Sequence, residues 1–301
     1  MRVIVVGDEV RAALSAKTAV VGLESTIFST LGLPSPANSE ALTRCNAAVR
    51  NAGAVPALTA VIDGVIWAGV PEEMEERVLG ASVKVAARGL AAASAQRLPL
   101  GATTVSASLA IADQVGIQVF ATGGIGGVHR GSEITGDISA DLDAIARHGV
   151  TTVSAGAKAF LDLPRTLEYL ETCSVPVVGW RTNHFPAFYT QNSGLEVPYR
   201  VDDARSAARI HVARRELGQG GVLLAVPIPS NAELDEQRIA NAIEEGLKLV
   251  SSRELSGPQI TPVVLAEVEK VTDGDSVEAN LALAEHNADI AAQVALEIAK
   301  L

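Results

Sequence analysis

Aromatic side chains are scarce in this sequence. Phe, Trp and Tyr make up 3% of the 301 residues, against 48% for hydrophobic residues as a whole. A core of this composition is built from Ala, Val, Leu and Ile, as in parallel sheets covered by helices. Cysteine is scarce too: Cys45 and Cys173 are the only two, far apart along the chain. That spacing excludes a disulfide framework and a CxxC metal pair, and buried free thiols are the expected state. No basic cluster stands out, and the net charge is −11. Nucleic acid and anionic membrane surfaces are therefore poor partners, while a small anion held by a few local donors is not. No apolar run approaches the roughly 18 residues of a membrane span. The run in "MRVIVVGDEV" is too short for a secretory signal and reads better as a first strand. A reducing cytoplasm fits these absences. No repeat, coiled coil or low-complexity linker divides the chain, so one domain is expected over its 301 residues.

What is present alternates between strand and helix patterns, which points to the α/β class. Strands are expected at Arg2–Val6, Ala19–Leu23, Ile117–Ala121 and Val150–Val153, with more in "VPVVGW" and "GGVLLAVPIP". Helices are expected at Asp8–Ser15, Leu161–Glu171, Asp202–Leu217 and Leu234–Val250, with two more after Gly257. Asn38 or Ser39 is a candidate cap for a helix running to Ala52, and Thr103 or Thr104 for the helix in "TTVSASLAIADQVG". Asp63-Gly64, between Val55–Ile62 and Val65–Val70, signals a hairpin with a type I′ turn. Lys84 interrupts a short strand-like run, as a lysine guarding an edge strand does. The loop "RTNHFPAFYTQNSGL" carries Phe185, Phe188 and Tyr189 and reads as a lid or a subunit contact. Asn280 and Asn287 are two helical turns apart on the last helix, hence on one face.

Three places carry chemistry. Glu24 follows an apolar strand, where burial would raise its pKa and make it an acid. "TGGIGGVHRGSEITGDISADL" brings Gly123, Gly124, Gly126 and Gly127 together, so its backbone can approach a ligand closely. The pattern is not GxGxxG, because His129 stands at the third glycine position, so a dinucleotide site is discounted. Phosphate or a sugar on backbone N–H groups fits better. His129, Arg130, Glu133, Asp137, Ser139 and Asp141 follow at once. Two carboxylates beside a serine could hold a hard divalent cation. Asp137 and Ser139 could equally cap the next helix. The third place is Lys158 in "SAGAK", directly after a buried strand. Ligands of open α/β sheets bind at such strand ends, and partial burial would leave some of this lysine as free amine. Its bland alternative is a snorkelling surface lysine.

Taken together, "LESTI" (Leu23–Ile27), "GATTV" (Gly101–Val105), "FATGGIGGVHRG" (Phe120–Gly131), "DISADL" (Asp137–Leu142), "AGAK" (Ala155–Lys158), "TLEYLET" (Thr166–Thr172), "FPAFY" (Phe185–Tyr189) and "VPIP" (Val226–Pro229) resemble the pseudouridine-5′-phosphate glycosidase family, also called indigoidine synthase A-like proteins. The resemblance runs nearly the whole chain in order. It implies a single α/β/α domain with a mixed, mostly parallel central sheet flanked by helices, assembled as a homotrimer. It implies cleavage of the C–C glycosidic bond of pseudouridine 5′-phosphate to uracil and ribose 5-phosphate. Glu24 would be the proton donor and Lys158 the lysine that bonds to C1′ of the sugar. Asp137 would be linked to manganese. Lys84, the backbone of Val105, and Ser139, Ala140 and Asp141 would touch substrate. Thr104, His129 and Asn280 would be polar pocket residues in support.

The chain departs from the family pattern in three places: "STLG" (Ser29–Gly32) where "SHG" is usual, "GDISAD" for "FDISAD", and "HNA" (His286–Ala288) for "NNA". The first alters the mouth of the site; Glu24 and Lys158 are intact. Two other readings share the lysine or the fold: a lysine-dependent aldolase or other sugar-phosphate enzyme, and a non-catalytic sugar-phosphate-binding protein.

Overall fold

A computed structural model describes residues 3–253, 255 and 260–301. Arg2, the expected start of the first strand, and Gly257, before the last two helices, lie outside the described residues. In chain order the strands are β1 (Ile4–Val6), β2 (Val20–Leu23), β3 (Val55–Ile62), β4 (Val65–Ala68), β5 (Lys84–Val85), β6 (Leu100–Thr103), β7 (Val119–Ala121), β8 (Thr151–Ser154), β9 (Val177–Trp180), β10 (Tyr199–Val201) and β11 (Val222–Ala225). The helices are α1 (Asp8–Ser15), α2 (Ala37–Ala52), α3 (Glu72–Leu79), α4 (Leu90–Ala95), α5 (Val105–Val115), α6 (Ser132–Thr135), α7 (Ala140–Arg147), α8 (Leu163–Thr172), α9 (Ala204–Glu216), α10 (Glu236–Ser252), α11 (Ile260–Val271) and α12 (Asp275–Ile298).

The sheet runs β1-β4-β3-β2-β7-β8-β11-β9-β10. All its pairs are parallel except β3 with β4 and β3 with β6. β2, β8, β9 and β11 are buried at every residue, as strands covered on both faces must be. α12 packs on α2 and α9, while α5 packs on α7 and α7 on α8, so two groups of helices enclose the sheet. The expected mixed, mostly parallel α/β/α arrangement is what the chain forms.

β3 belongs to two leaves. Val55–Leu58 run parallel to β2, and Ala60–Ile62 run antiparallel to β6, which in turn carries β5. The Asp63-Gly64 turn has both residues at positive φ, 54° and 77°, which is the type I′ requirement.

Several local expectations are corrected. α2 begins at Ala37, so Asn38 lies inside it and points inward, donating to Phe28 O at 3.3 Å. Neither Asn38 nor Ser39 is its cap. Ser139, not Asp137, caps α7, accepting the Asp141 N–H at 3.2 Å. α8 starts two residues later than expected, because Asp162 accepts the Arg165 N–H at 3.1 Å and Pro164 sits in the first turn. In the loop read as a lid or a subunit contact, the three rings turn inward: Phe185, Phe188 and Tyr189 are 0%, 4% and 2% exposed.

Candidate active site

The parallel strands end along one edge of the sheet, and the candidate residues follow those ends. Glu24 follows β2, Thr122 follows β7, and Lys158 follows β8 by a short loop. Hydroxyls fix the end of β2. Thr26 Oγ1 donates to Thr103 O at 2.7 Å, and Ser25 Oγ accepts the Thr103 N–H at 2.8 Å. Thr59 Oγ1 lies 2.8 Å from both Thr103 Oγ1 and Ser108 Oγ. These short side chains leave one another no unpaired hydroxyl and tie β2 to β6.

The lysine loop is wedged between two others. Lys158 N–H donates to Ile125 O at 3.1 Å, and Ile125 N–H donates to Gly156 O at 3.0 Å. On the far side Phe188 N–H donates to Ala155 O at 3.1 Å. The loop can be this tight only at glycines. A Cβ on Gly156 would lie 2.3 Å from Pro186 O, and one on Gly124 would lie 2.5 Å from the Phe188 ring. Gly156 also has φ +77°.

One cavity is lined by Glu24, Lys84, Lys158 and Asn280, together with Thr26, Thr122 and the Phe188 ring. Its accessible volume is about 50 Å³, room for one or two waters. The snorkelling reading of Lys158 is thereby set aside. Lys84 does stand on a short edge strand, yet its side chain also faces this cavity. A more capacious hollow of about 660 Å³, between α8 and the 195–199 segment, holds no lysine beside a buried acid.

Glu24 is 7% exposed. Burial pushes its carboxyl up to about 7, against the downward pull of Lys158, of the Thr122 hydroxyl that donates to Oε1, and of Lys84. Asp141 adds a smaller upward push. Lys84 moves the other way: burial first, then the neighbouring Lys158 charge, hold its amine below the usual lysine range. An acid that keeps its proton near neutrality thus shares a closed space with two amines.

The glycine loop adjoins this cavity. His129 N–H donates to Asp137 O at 3.1 Å, and the His129 ring tilts against Phe160. Burial, ahead of the opposing Asp137 charge, keeps His129 below its ordinary pKa. Asp141 spends both oxygens on backbone: Oδ1 accepts from Ser106 N at 3.0 Å and Oδ2 from Gly126 N at 2.9 Å. The N-terminus of α5 that seemed free for an anion is therefore partly filled by a carboxylate of the chain itself. The Thr104 hydroxyl does not cap α5; it lies 3.0 Å from Ser106 Oγ. Val105 opens α5 and is buried, whereas Ala140 opens α7 on an exposed face. Asn280 Nδ2 donates to the Tyr189 hydroxyl at 3.2 Å.

Among the described residues no group of three or more His, Cys, Asp or Glu side chains is placed to hold a metal. Of the two carboxylates expected beside Ser139, Asp141 already accepts one backbone N–H on each oxygen. Of the remaining acids in the stretch, Glu133 pairs with Arg165 at 2.8 Å. Asp137 is half-buried, with His129 Nδ1 at 3.9 Å as its nearest ion-pair contact. One such carboxylate completed by water fits a hard cation and does not fit a zinc-like site.

Sequence reasoning missed Thr122 entirely. A threonine after a strand has no signal of its own; only the fold shows that β7 lies beside β2.

The sequence profile of the family described as "Indigoidine synthase A like protein" matches residues 9–297. A pseudouridine-5′-phosphate glycosidase of Caldanaerobacter subterraneus subsp. tengcongensis is 48% identical, covering 100% of this chain and 98% of the relative. One from Sorangium cellulosum is 45% identical, covering 98% and 94%. Among solved structures, the prealnumycin C-glycosynthase AlnA in complex with ribulose 5-phosphate superposes with a TM-score of 0.91 at 37% identity, covering 100% of this chain and 98% of that one. An indigoidine synthase A-like protein of Thermotoga maritima gives 0.87 at 33% identity, covering 99% and 97%. With a family profile over residues 9–297 and relatives matched over nearly their full length, this protein belongs to the indigoidine synthase A-like family.

Proposed function

We propose that this chain cleaves the C–C glycosidic bond of pseudouridine 5′-phosphate, giving uracil and ribose 5-phosphate, with Lys158 as nucleophile and Glu24 as acid. The observation that carries this reading is the buried Glu24, held near pKa 7 in one cavity with two lysines. The names of the full-length relatives support the substrate, and the sugar phosphate bound to the C-glycosynthase supports its ribose end.

A carbon leaving group has no lone pair to protonate, so the two-carboxylate route of ordinary glycosidases does not apply. The Lys158 amine adds to C1′ as the C1′–O4′ bond breaks, and Glu24 gives its proton to O4′. Glu24 then recovers a proton from the new secondary ammonium. It passes that proton to carbon 5 of the base while the nitrogen lone pair expels uracil, leaving an iminium on Lys158. Water adds to C1′, Glu24 takes up the proton released, and ribose 5-phosphate leaves with the lysine amine restored. A single general acid is worth about 10²–10⁴-fold, so positioning and the covalent route supply the remainder.

A nucleotide needs several times the accessible volume of the cavity, about 50 Å³. The rim of Leu31, Leu33 and Leu265 must therefore part to admit it. Lys84, in the same cavity, is a natural holder of the phosphate. Asp137 would hold a divalent cation, manganese in this reading, through carboxylate and water. Held there, the cation would bring positive charge toward the phosphate or order the loop. A homotrimer and a cytoplasmic setting complete the proposal. The free thiols of Cys45 and Cys173 support the second, and light scattering would test the first.

The test is uracil release from pseudouridine 5′-phosphate, with and without EDTA, followed by borohydride reduction with ribose 5-phosphate present. The expected result is uracil, loss of turnover in EDTA restored by manganese, and a sugar-phosphate mass on Lys158. An unmodified Lys158 under turnover would sink the covalent route. A reducible adduct without uracil release would favour an aldolase.

A further inference from the structure

Asn287 sits in the middle of α12 and is 0% exposed. Its neighbours on the buried face are Leu283, Ala284, Ala288 and Ala291. An asparagine there is a poor choice for helix and core alike. Its Oδ1 is buried without a partner, an arrangement that costs stability. Its Nδ2, however, donates to Thr122 O at 2.8 Å and to Gly123 O at 3.2 Å. Those carbonyls belong to the segment that leaves β7 toward the glycine loop. From the other side β8 holds the same segment, with Thr122 N–H donating to Val153 O at 3.0 Å and Ala155 N–H to Gly123 O at 2.9 Å. Gly123 leaves little room for any other device, since a Cβ there would lie 3.2 Å from both Ile27 and Leu283. The Thr122 backbone is thus clamped between sheet and helix, and its hydroxyl donates to Glu24 Oε1.

We propose that Asn287 is a positioning residue for the acid, holding the Thr122–Gly123 backbone so that the Thr122 hydroxyl stays on the Glu24 carboxyl. This rests on the reading of Glu24 as the acid. The charges that act on Glu24 come from Lys158 after β8, Lys84 on β5 and Asp141 on α7. None is on α12. Removing the Asn287 amide therefore changes Glu24 only through Thr122. A hydroxyl donated to a carboxylate favours the ionised form, so weakening that bond shifts the carboxyl titration upward.

The experiment reads the Glu24 carboxyl titration directly, by NMR of protein labelled with carbon-13 at the glutamate carboxyl. Glu24→Gln assigns the signal. Uracil-release pH profiles run beside it. In Asn287→Leu, close in shape but without donors, the titration midpoint and the alkaline limb of kcat are expected to rise together by about one pH unit. The same variant should lose about tenfold in kcat with KM changed less than about twofold. Thr122→Val should give the same shift, and the double variant no more than either alone. If Asn287→Leu folds too poorly, Asn287→Ser keeps a hydroxyl donor and should show a smaller shift in the same direction. A midpoint unmoved in either Asn287 variant, or shifts that add in the double variant, overturns the proposal and leaves Asn287 a packing residue. Absence of uracil release from the unaltered protein would instead overturn the glycosidase reading, while the NMR titration would still decide the role of Asn287.

Discussion

Asp141 accepts the Ser106 backbone N–H at 3.0 Å and so caps α5 with a side chain from α7. Its second oxygen reaches the Gly126 N–H at 2.9 Å. One buried carboxylate thus ties a helix start to the glycine loop, in the place an outside anion would otherwise take.

Asp141→Asn should separate the two jobs of that carboxylate. An amide cannot accept from both N–H groups with both ends, so unfolding in urea should show a loss of about 1–3 kcal/mol. The Asp141 charge also pushes the Glu24 carboxyl up. Its removal should move the alkaline limb of kcat to lower pH, opposite in sign to the shift expected for Asn287→Leu. A limb that stays put would show that the carboxylate acts on structure alone.

Glu24 predicts a pH dependence of stability. Its folded pKa, about 7, stands above the ordinary 4.5 because of burial. The folded protein therefore holds a proton that the unfolded chain has released between those values. The stabilisation is complete below about pH 4.5, falls as pH rises, and is gone above about pH 7, for a total on the order of 3 kcal/mol. Glu24→Gln should flatten this part of the stability curve while lowering kcat by about 10²–10⁴-fold. Denaturation midpoints at pH 5 and pH 8 compare the two proteins. Parallel curves would remove Glu24 from the list of buried acids.

Much of this site was legible in the residues. Glu24, Lys84 and Lys158 each stand at a strand or strand-like run, where side-chain type and position agree. What stayed hidden were relations between distant segments. Thr122 gains its role because β7 lies next to β2, and Asp141 because α7 lies beside α5; neither adjacency follows from local pattern. Asn280 and Asn287 were visible as one face of a helix, but only packing shows that one reaches Tyr189 and the other the backbone after β7. The α2 cap failed for a local reason: Pro36 takes the N-cap position, so the helix starts before Asn38 can sit at its end.

Lys84→Met should raise KM for pseudouridine 5′-phosphate by about 10–100-fold, the range for losing one charge-assisted hydrogen bond. The dephosphorylated nucleoside should be turned over with little further loss. Equal loss on both substrates would assign Lys84 to the sugar or to Lys158 and away from the phosphate.

Gly156→Ala combines a left-handed backbone, φ +77°, with a Cβ 2.3 Å from Pro186 O. Stability should drop by about 2 kcal/mol or more, a melting shift of several degrees. Adduct formation at Lys158 should fall with it, because the lysine is two residues away on the same loop. An unchanged melting temperature would mean that the Pro186 segment yields more readily than its burial suggests.

α12 has a temporal consequence as well as a spatial one. It is synthesised after every other described element, and it alone brings the Asn287 amide to the backbone after β7. A nascent chain short of α12 already carries Glu24, Lys84 and Lys158 but holds the Thr122–Gly123 segment from the β8 side alone. Until α12 docks, then, the Thr122 backbone beside Glu24 is held from one side only, and its second brace forms late in folding.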